Sequence, residues 1–166
     1  MPAHPWNPLP FDLAICGLIE LRATLAAFRA THVISISDPG GASPEIPDSL
    51  TVLRLAFWDV DSLDGMVARK LAPDTPDAYP SIAHVQLILG FGRQIPAGAR
   101  VLVHCSAGIS RSSATAFLIA AQAMAGSEHR AFDLIKLLRP QARPNRLIVK
   151  FGDRLLGAEG RMLACL

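Results

Sequence analysis

The chain contains few charged residues, and they are dispersed. Asp, Glu, Lys and Arg make up 18% of the 166 residues, the formal net charge is +2, and no long run of Lys and Arg occurs. Proteins that bind nucleic acids usually concentrate basic residues on one face. The composition therefore argues against a nucleic-acid partner, although a single site with a local positive field remains compatible with an anionic ligand.

Cysteine is also scarce. The three cysteines, Cys16, Cys105 and Cys165, are odd in number and far apart in the sequence. This spacing fits neither a disulfide framework nor a Cys-x-x-Cys metal site. We therefore expect a cytoplasmic location, and we expect neither a metal nor another cofactor.

Long apolar runs are missing. Residues 114–126 form the longest stretch of low polarity, which is too short to span a bilayer. The first apolar stretch, residues 13–19, is not preceded by Lys or Arg as the core of a signal peptide would be. We expect no membrane partner.

The length and the 51% hydrophobic content predict one domain over residues 1–166, with the four prolines of residues 1–10 marking an irregular arm. Continuous apolar runs predict buried strands, and apolar residues at helical spacing predict helices. The result is an α/β fold with a short, mostly parallel central sheet flanked by helices. The predicted strands are 11–16, 32–37, 50–57 and 101–103, and the predicted helices are 17–30, 63–70, 81–95, 110–124, 127–139 and 145–156.

One stretch, HCSAGISRSSAT at residues 104–115, lies between a predicted strand and a predicted helix. Ligands of parallel sheets bind where strands end and helices begin, and a loop of small residues at a helix N-terminus directs its N–H groups at an anion. Arg111, in the first helical turn, offers a planar fork to a tetrahedral anion. The stretch therefore predicts a phosphate-binding loop, with substrate-binding residues Ser106, Ala107, Gly108, Ile109, Ser110 and Arg111.

Cys105 lies at the base of this loop, where the N–H groups and Arg111 that favour phosphate also favour a thiolate. A thiolate beneath a bound phosphoryl group is placed for in-line attack, which gives a cysteinyl-phosphate that water then hydrolyses. Ser112 is placed to donate a hydrogen bond to the sulfur as it leaves. We interpret His104 as a supporting residue that orders the loop.

The nine residues from His104 to Ser112 match the pattern HCxxGxxR[ST] and thereby resemble the cysteine-based protein tyrosine phosphatases, most closely the compact dual-specificity group and its bacterial relatives. The segments THVISIS, LRLAFWD and RPQARPN are similar to further segments of that group, so the resemblance extends over residues 11–156. It implies a protein tyrosine phosphatase-like fold and hydrolysis of phosphomonoesters, with a phosphorylated protein as partner and phosphotyrosine as the first candidate substrate. It also implies an aspartate general acid, for which Asp59 is the first candidate.

Several alternatives stay open at this stage. The connection of residues 58–80 is longer than in the compact group, and Asp61, Asp74 or Asp77 could supply the acid instead of Asp59. The chain could also be a phosphate-binding module that captures phosphorylated partners without turnover, or a thiol enzyme of the rhodanese or arsenate-reducing type. The oligomeric state is not fixed by the sequence.

Four further residues have two interpretations each. Cys16 is either a core residue or a partner for a reversible disulfide with Cys105. Asn145 is interpreted as the N-cap of the last helix in preference to a catalytic residue. Arg139 and Arg143 are either surface charges or contributors to the positive field around the loop.

Overall fold

The sheet of this protein is parallel throughout the part of the chain that the computed structural model describes, residues 8–62 and 78–166. Its four strands there are ordered β1-β4-β2-β3. β2 and β4 are central and almost fully buried, as their continuous apolar runs predict, whereas β3 is an edge strand with exposed positions. The strands are β1 (Asp12–Gly17), β2 (His32–Ser37), β3 (Thr51–Ala56) and β4 (Arg100–Cys105).

Five α-helices and a short 3-10 helix accompany the sheet in the described residues. The predicted order of strands and helices is confirmed there; the predicted helix at 63–70 lies outside the described residues, as do residues 1–7 of the predicted arm. Leu9, from the rest of that arm, packs in the main core. The helices are α1 (Leu21–Phe28), α2 (Ile82–Arg93), α3 (Arg111–Ala123), α4 (Glu128–Leu138) and α5 (Arg146–Leu156), followed by the 3-10 helix Leu163–Cys165.

The prediction of a helix over 17–30 was wrong at its N-terminal end. The helix begins at Leu21, and residues 18–20 form a turn in which Leu18 is 47% exposed. The N–H of Gly17 donates to the Glu20 carboxylate at 2.7 Å, and the N–H of Leu18 donates to the carbonyl of Ser106 at 3.0 Å. These bonds hold the chain in the turn, so tertiary contacts override the helical spacing of the leucines.

Helices cover both faces of the sheet. The main core includes α3, whose residues 111–121 are all buried, and small alanine side chains let the neighbouring helices approach it closely. The opposite face carries a smaller cluster that includes Cys16, Leu21 and Leu102. No helix in the described residues is long and apolar enough to cross a membrane.

Parallel strands place all their carboxyl ends at one edge of the sheet. Four segments follow those ends and meet there: residues 18–20, 38–41, 57–62 and 106–110. The phosphate-binding loop predicted from the sequence is the last of them, at the junction of β4 and α3.

Candidate active site

The carbonyl groups of the loop 106–110 all face away from its centre. Each accepts a hydrogen bond from a group beyond the loop. The carbonyl of Ser106 accepts from the Leu18 N–H at 3.0 Å, and those of Ala107 and Gly108 accept from the Arg139 guanidinium at 3.4 and 3.1 Å. The carbonyls of Ile109 and Ser110 accept from the N–H groups of Arg143 and Asn145, at 2.9 and 3.2 Å, and also from the Ser113 hydroxyl.

The outward carbonyls determine where the N–H groups point. In a planar trans peptide the C=O and the following N–H are antiparallel, so the N–H groups of residues 107–111 are directed to the inner side. The N–H of Gly108 shows this directly, because it donates to Cys105 Sγ at 3.3 Å. Gly108 adopts a φ of 71°, and a Cβ there would lie 2.4 Å from the backbone of Cys16 and Gly17. The loop therefore forms a concave surface of N–H donors suited to an anion.

Cys105 ends β4 at the bottom of this surface. Its side chain is buried with a residue exposure of 1%, and its Sγ lies 3.2 Å from Ser112 Oγ, to which the thiol donates. When the sulfur is a thiolate, the same hydroxyl is placed to donate to it instead. A loop N–H and a hydroxyl thus meet at one sulfur atom beside the N-terminal end of α3.

Arg111 is buried and held along one edge of its guanidinium. Nη1 donates to Asp38 Oδ1 and to the Phe57 carbonyl, both at 2.7 Å, and Nη2 donates to Ser106 Oγ at 3.1 Å. Nε is buried and has no hydrogen-bond partner among the described residues. A buried, unpartnered donor on a fixed guanidinium is a position that an anion oxygen would fill.

Asp59 lies at the mouth of the loop and contacts it. Its Oδ1 accepts from the Ser110 hydroxyl at 2.7 Å and from Asn145 Nδ2 at 2.9 Å, and its Oδ2 lies 3.9 Å from Arg111 Nε. Asp61, the second candidate acid, is exposed. The remaining candidates, Asp74 and Asp77, lie outside the described residues.

His104 faces the opposite side of β4 from the sulfur. Its Nε2 is 2.8 Å from the Ser35 hydroxyl on β2, which ties the two central strands together just before the loop. Burial lowers the pKa of His104 below its ordinary value of 6.5, an effect that the backbone of Cys105 partly opposes. The ring is therefore neutral and serves to connect strands.

The two cysteines nearest the loop cannot pair in this structure. Cys16 is in register with His104, whereas Gly17 is in register with Cys105, so the Cys16 side chain lies on the opposite sheet face from the Cys105 side chain. A disulfide needs Cβ atoms about 4 Å apart with vectors that converge. Burial raises the pKa of Cys16 to about 11, so its thiol stays protonated at neutral pH. The disulfide hypothesis is not supported.

Sequence reasoning missed several supports of the site. Asp38 was assigned no role in the site, yet its carboxylate anchors Arg111, and its place directly after β2 was the available signal. Asn145 is the N-cap of α5, accepting from the Ile148 N–H at 3.0 Å, and it also holds Asp59. Glu20, which carried no sequence signal, forms a bidentate pair with Arg139 at 2.9 and 2.7 Å.

Comparison with known proteins gives one relative of similar sequence. Over 117 residues, 70% of this chain, the sequence is 28% identical to human Protein phosphatase Slingshot homolog 3, of whose length the match covers 15%. No protein-family model matches the chain.

Solved structures share the fold at low sequence identity. Human DUSP28 is 21% identical, with a TM-score of 0.56 and coverage of 90% of this chain and 93% of that one. The phosphatase domain of Yvh1 from Chaetomium thermophilum is 16% identical, with a TM-score of 0.58 and coverage of 95% and 96%. The fold implied by the resemblance of residues 104–112 is thus confirmed: this chain has the fold of solved dual-specificity phosphatases.

Proposed function

We propose that this protein is a phosphomonoester hydrolase that acts through a cysteinyl-phosphate on Cys105. The observation that carries the proposal is the loop itself, in which five consecutive carbonyls face outward around a buried cysteine while Arg111 Nε has no hydrogen-bond partner among the described residues. The N–H groups of the loop would bind the three non-bridging oxygens of a phosphoryl group, and Arg111 would bind two of them from the side.

The chemistry balances with the groups present. The Cys105 thiolate attacks phosphorus, the bond to the leaving oxygen breaks, and Asp59 as a carboxylic acid gives its proton to that oxygen. Water then attacks the cysteinyl-phosphate, Asp59 as a carboxylate takes the proton from the water, and the S–P bond breaks to release phosphate. The Ser112 hydroxyl donates to the sulfur as it becomes a thiolate again.

Asp59 is the proposed acid because its carboxylate accepts a hydrogen bond from Ser110, within the loop 106–110. Ser110 and Asn145 both donate to its Oδ1, which fixes the carboxyl group at the loop mouth and leaves Oδ2 beside Arg111 Nε. A leaving oxygen on a phosphoryl group bound in the loop would lie in this region. The exposed Asp61 is the matched alternative.

The proposed substrate class is phosphorylated protein, with phosphotyrosine first, in the cytoplasm. The relative of similar sequence is named as a protein phosphatase, and one solved structure of similar fold is named as a mouse putative dual specificity phosphatase. The loop interior, Ser-Ala-Gly-Ile-Ser, adds no lysine that would favour a ligand with several phosphates. The three cysteines are free, which suits a reducing compartment.

The test uses two phosphate esters with leaving groups of different basicity, p-nitrophenyl phosphate and a phosphotyrosine peptide. Cys105→Ser should abolish turnover of both. Asp59→Asn should lower kcat for the phosphopeptide by about a hundredfold, and less for p-nitrophenyl phosphate, whose leaving group needs little protonation. Asp61→Asn, the matched control, should leave both rates near those of the wild type.

Two results would contradict parts of the proposal. If Asp59→Asn lowered kcat equally for both esters, or if Asp61→Asn lowered it more, Asp59 would not be the general acid. Phosphopeptide binding by the wild-type chain without any release of phosphate would instead establish a binding module.

A further inference from the structure

Arg139 and Glu20 form an ion pair that the proposed chemistry does not use. Arg139 follows α4, Glu20 precedes α1, and the two side chains meet behind the loop through two hydrogen bonds of 2.9 and 2.7 Å. The Arg139 side chain is 14% exposed and that of Glu20 is 47% exposed. The pair joins two elements that are 119 residues apart in the sequence.

The guanidinium of Arg139 also reaches the loop. Its Nε donates to the Gly108 carbonyl at 3.1 Å, and its Nη2 to the Ala107 carbonyl at 3.4 Å. Both bonds pull a carbonyl outward, and the antiparallel N–H of each peptide unit, on Gly108 and Ile109, is thereby directed inward. One of these, the Gly108 N–H, is the donor that reaches Cys105 Sγ.

Glu20 completes the arrangement from the other side. Its Oε2 accepts the Gly17 N–H at 2.7 Å, and the adjacent Leu18 N–H donates to the Ser106 carbonyl. Glu20 therefore fixes both the turn that holds one loop carbonyl and the guanidinium that holds the next two. Hydrogen bonds to Glu20 raise the pKa of Arg139 further, and the bond from Arg139 is the main reason that the pKa of Glu20 is lowered.

We infer that Glu20 and Arg139 are positioning residues: they clamp the carbonyls of residues 106–108 outward, and so hold the loop in the conformation that binds an oxyanion. The inference rests on the anion site of the proposed function. In this role neither residue contacts the substrate. The positive charge of Arg139 is not the important property, because Glu20 already neutralises it. The planar fork of arginine is required, since one ammonium group cannot reach a carboxylate and two carbonyls at fixed angles.

The clamp and a purely electrostatic role of Glu20 predict opposite effects of Glu20→Gln on phosphate binding. Removing the negative charge of Glu20 near an anion site should strengthen anion binding by Coulomb's law. If Glu20 instead holds the loop in shape, Glu20→Gln should weaken the binding of inorganic phosphate, by about threefold, the size expected for one exposed charge-assisted bond. Arg139→Lys, which keeps the charge and loses the fork, should weaken it by about tenfold, as loss of a residue that orients ligands does.

The experiment measures protection of Cys105 from iodoacetamide by inorganic phosphate, read by peptide mass spectrometry, together with the thermal unfolding midpoint. The matched control is Arg161→Lys, because Arg161 forms a similar bidentate pair with Glu128, at 3.2 and 3.2 Å, away from the loop. This control should lower the unfolding midpoint about as much as Arg139→Lys while leaving phosphate protection unchanged. Activity assays should show a rise in KM larger than the fall in kcat for Arg139→Lys.

The outcomes separate the clamp from the hydrolase proposal. Tighter phosphate binding by Glu20→Gln, or wild-type binding by Arg139→Lys, would overturn the clamp while the hydrolase remained. A wild-type chain that phosphate protects but that hydrolyses no ester would sink the hydrolase alone, and the variants would still test the clamp. A wild-type chain that phosphate does not protect would overturn both.

Discussion

At the scale of the residue, the site depends on side chains that have two roles each. Asn145 is the clearest case, since its carbonyl oxygen caps α5 while its amide nitrogen donates to Asp59, 86 residues earlier, and to the Val60 carbonyl. Arg111 likewise holds Asp38 and Ser106 with one edge and presents Nε with the other. Such residues connect the stability of an element to the geometry of the chemistry.

The two roles of Asn145 can be separated by Asn145→Ser. Serine caps a helix about as well as asparagine, so the free energy of unfolding should change little. Its short side chain does not extend to Asp59, so we expect kcat for the phosphotyrosine peptide to fall several-fold while the inhibition constant of phosphate is unchanged. Asn145→Ala should lose both roles and cost about 1 kcal/mol of stability in addition. Wild-type kcat in Asn145→Ser would show that Asp59 is held without it.

Sequence could predict the residues of this site that lie in one local motif, and it could not predict their supports. Cys105, Gly108 and Arg111 have fixed spacing in the sequence, and the loop holds them together as that spacing implies. Asp38 and Glu20 are single acidic residues in turns, and only the three-dimensional arrangement decides which arginine each one meets. Ion pairs between side chains that are far apart in the sequence leave no periodic pattern from which they could be predicted.

At the scale of the element, strands and helices followed their patterns wherever burial alone decides them. β2 was predicted over its exact residues. α5 follows its predicted cap Asn145, and α2 follows Ser81, the first residue of the predicted range 81–95; both side chains accept from a backbone N–H. α1 is shorter than predicted because Glu20 and Gly17 bond each other in the turn before it. The deviation therefore occurs where an element end supports the loop.

Gly108 tests how tightly the loop packs on the end of β1. Gly108→Ala adds a Cβ that would lie 2.4 Å from backbone atoms of Cys16 and Gly17, at a φ of 71°. Gly98→Ala is the matched control, since its φ is 77° but nothing lies within 4 Å of the added Cβ. We expect about 1 kcal/mol of destabilisation for Gly98→Ala, from backbone strain alone.

For Gly108→Ala we expect a larger loss of stability and no detectable phosphate binding, because relief of the clash must displace either the loop or β1. Urea unfolding and phosphate protection of Cys105 measure the two effects. Equal stability of the two variants, with phosphate binding intact in both, would show that the loop tolerates a shift at this position.

At the scale of the whole molecule, the stability of the fold depends on buried groups that must stay neutral and on carboxylates that must stay charged. His104 is buried between the central strands and its pKa is lowered by burial; His32 is shifted in the same direction for the same reason. Glu20 and Glu128 have lowered pKa values chiefly because Arg139 and Arg161 donate to them. The histidines and the carboxylates therefore affect the free energy of unfolding in different ranges of pH.

The carboxylates act in the lower range. A carboxyl group with a lowered pKa in the folded state contributes stability that is present above its ordinary value of 4.5 and is lost as the pH falls through the folded value. Glu128→Gln should therefore lower the unfolding free energy above pH 4.5 and flatten its fall below pH 4.5, as measured by urea unfolding across this range.

The histidines act in the upper range. The folded state holds His104 neutral, whereas the unfolded chain takes up a proton near the ordinary value of 6.5, so protonation favours unfolding as the pH falls below 6.5. The free energy of unfolding should decrease below that pH, with a slope of at most about 1.4 kcal/mol per pH unit for each such group.

His104→Gln, whose amide can still hydrogen-bond to the Ser35 hydroxyl, should reduce this slope, measured by urea unfolding between pH 8 and pH 5.5. An unchanged slope in His104→Gln would mean that the buried ring accepts a proton in the folded state, and the link between β4 and β2 would then survive a charge at its centre.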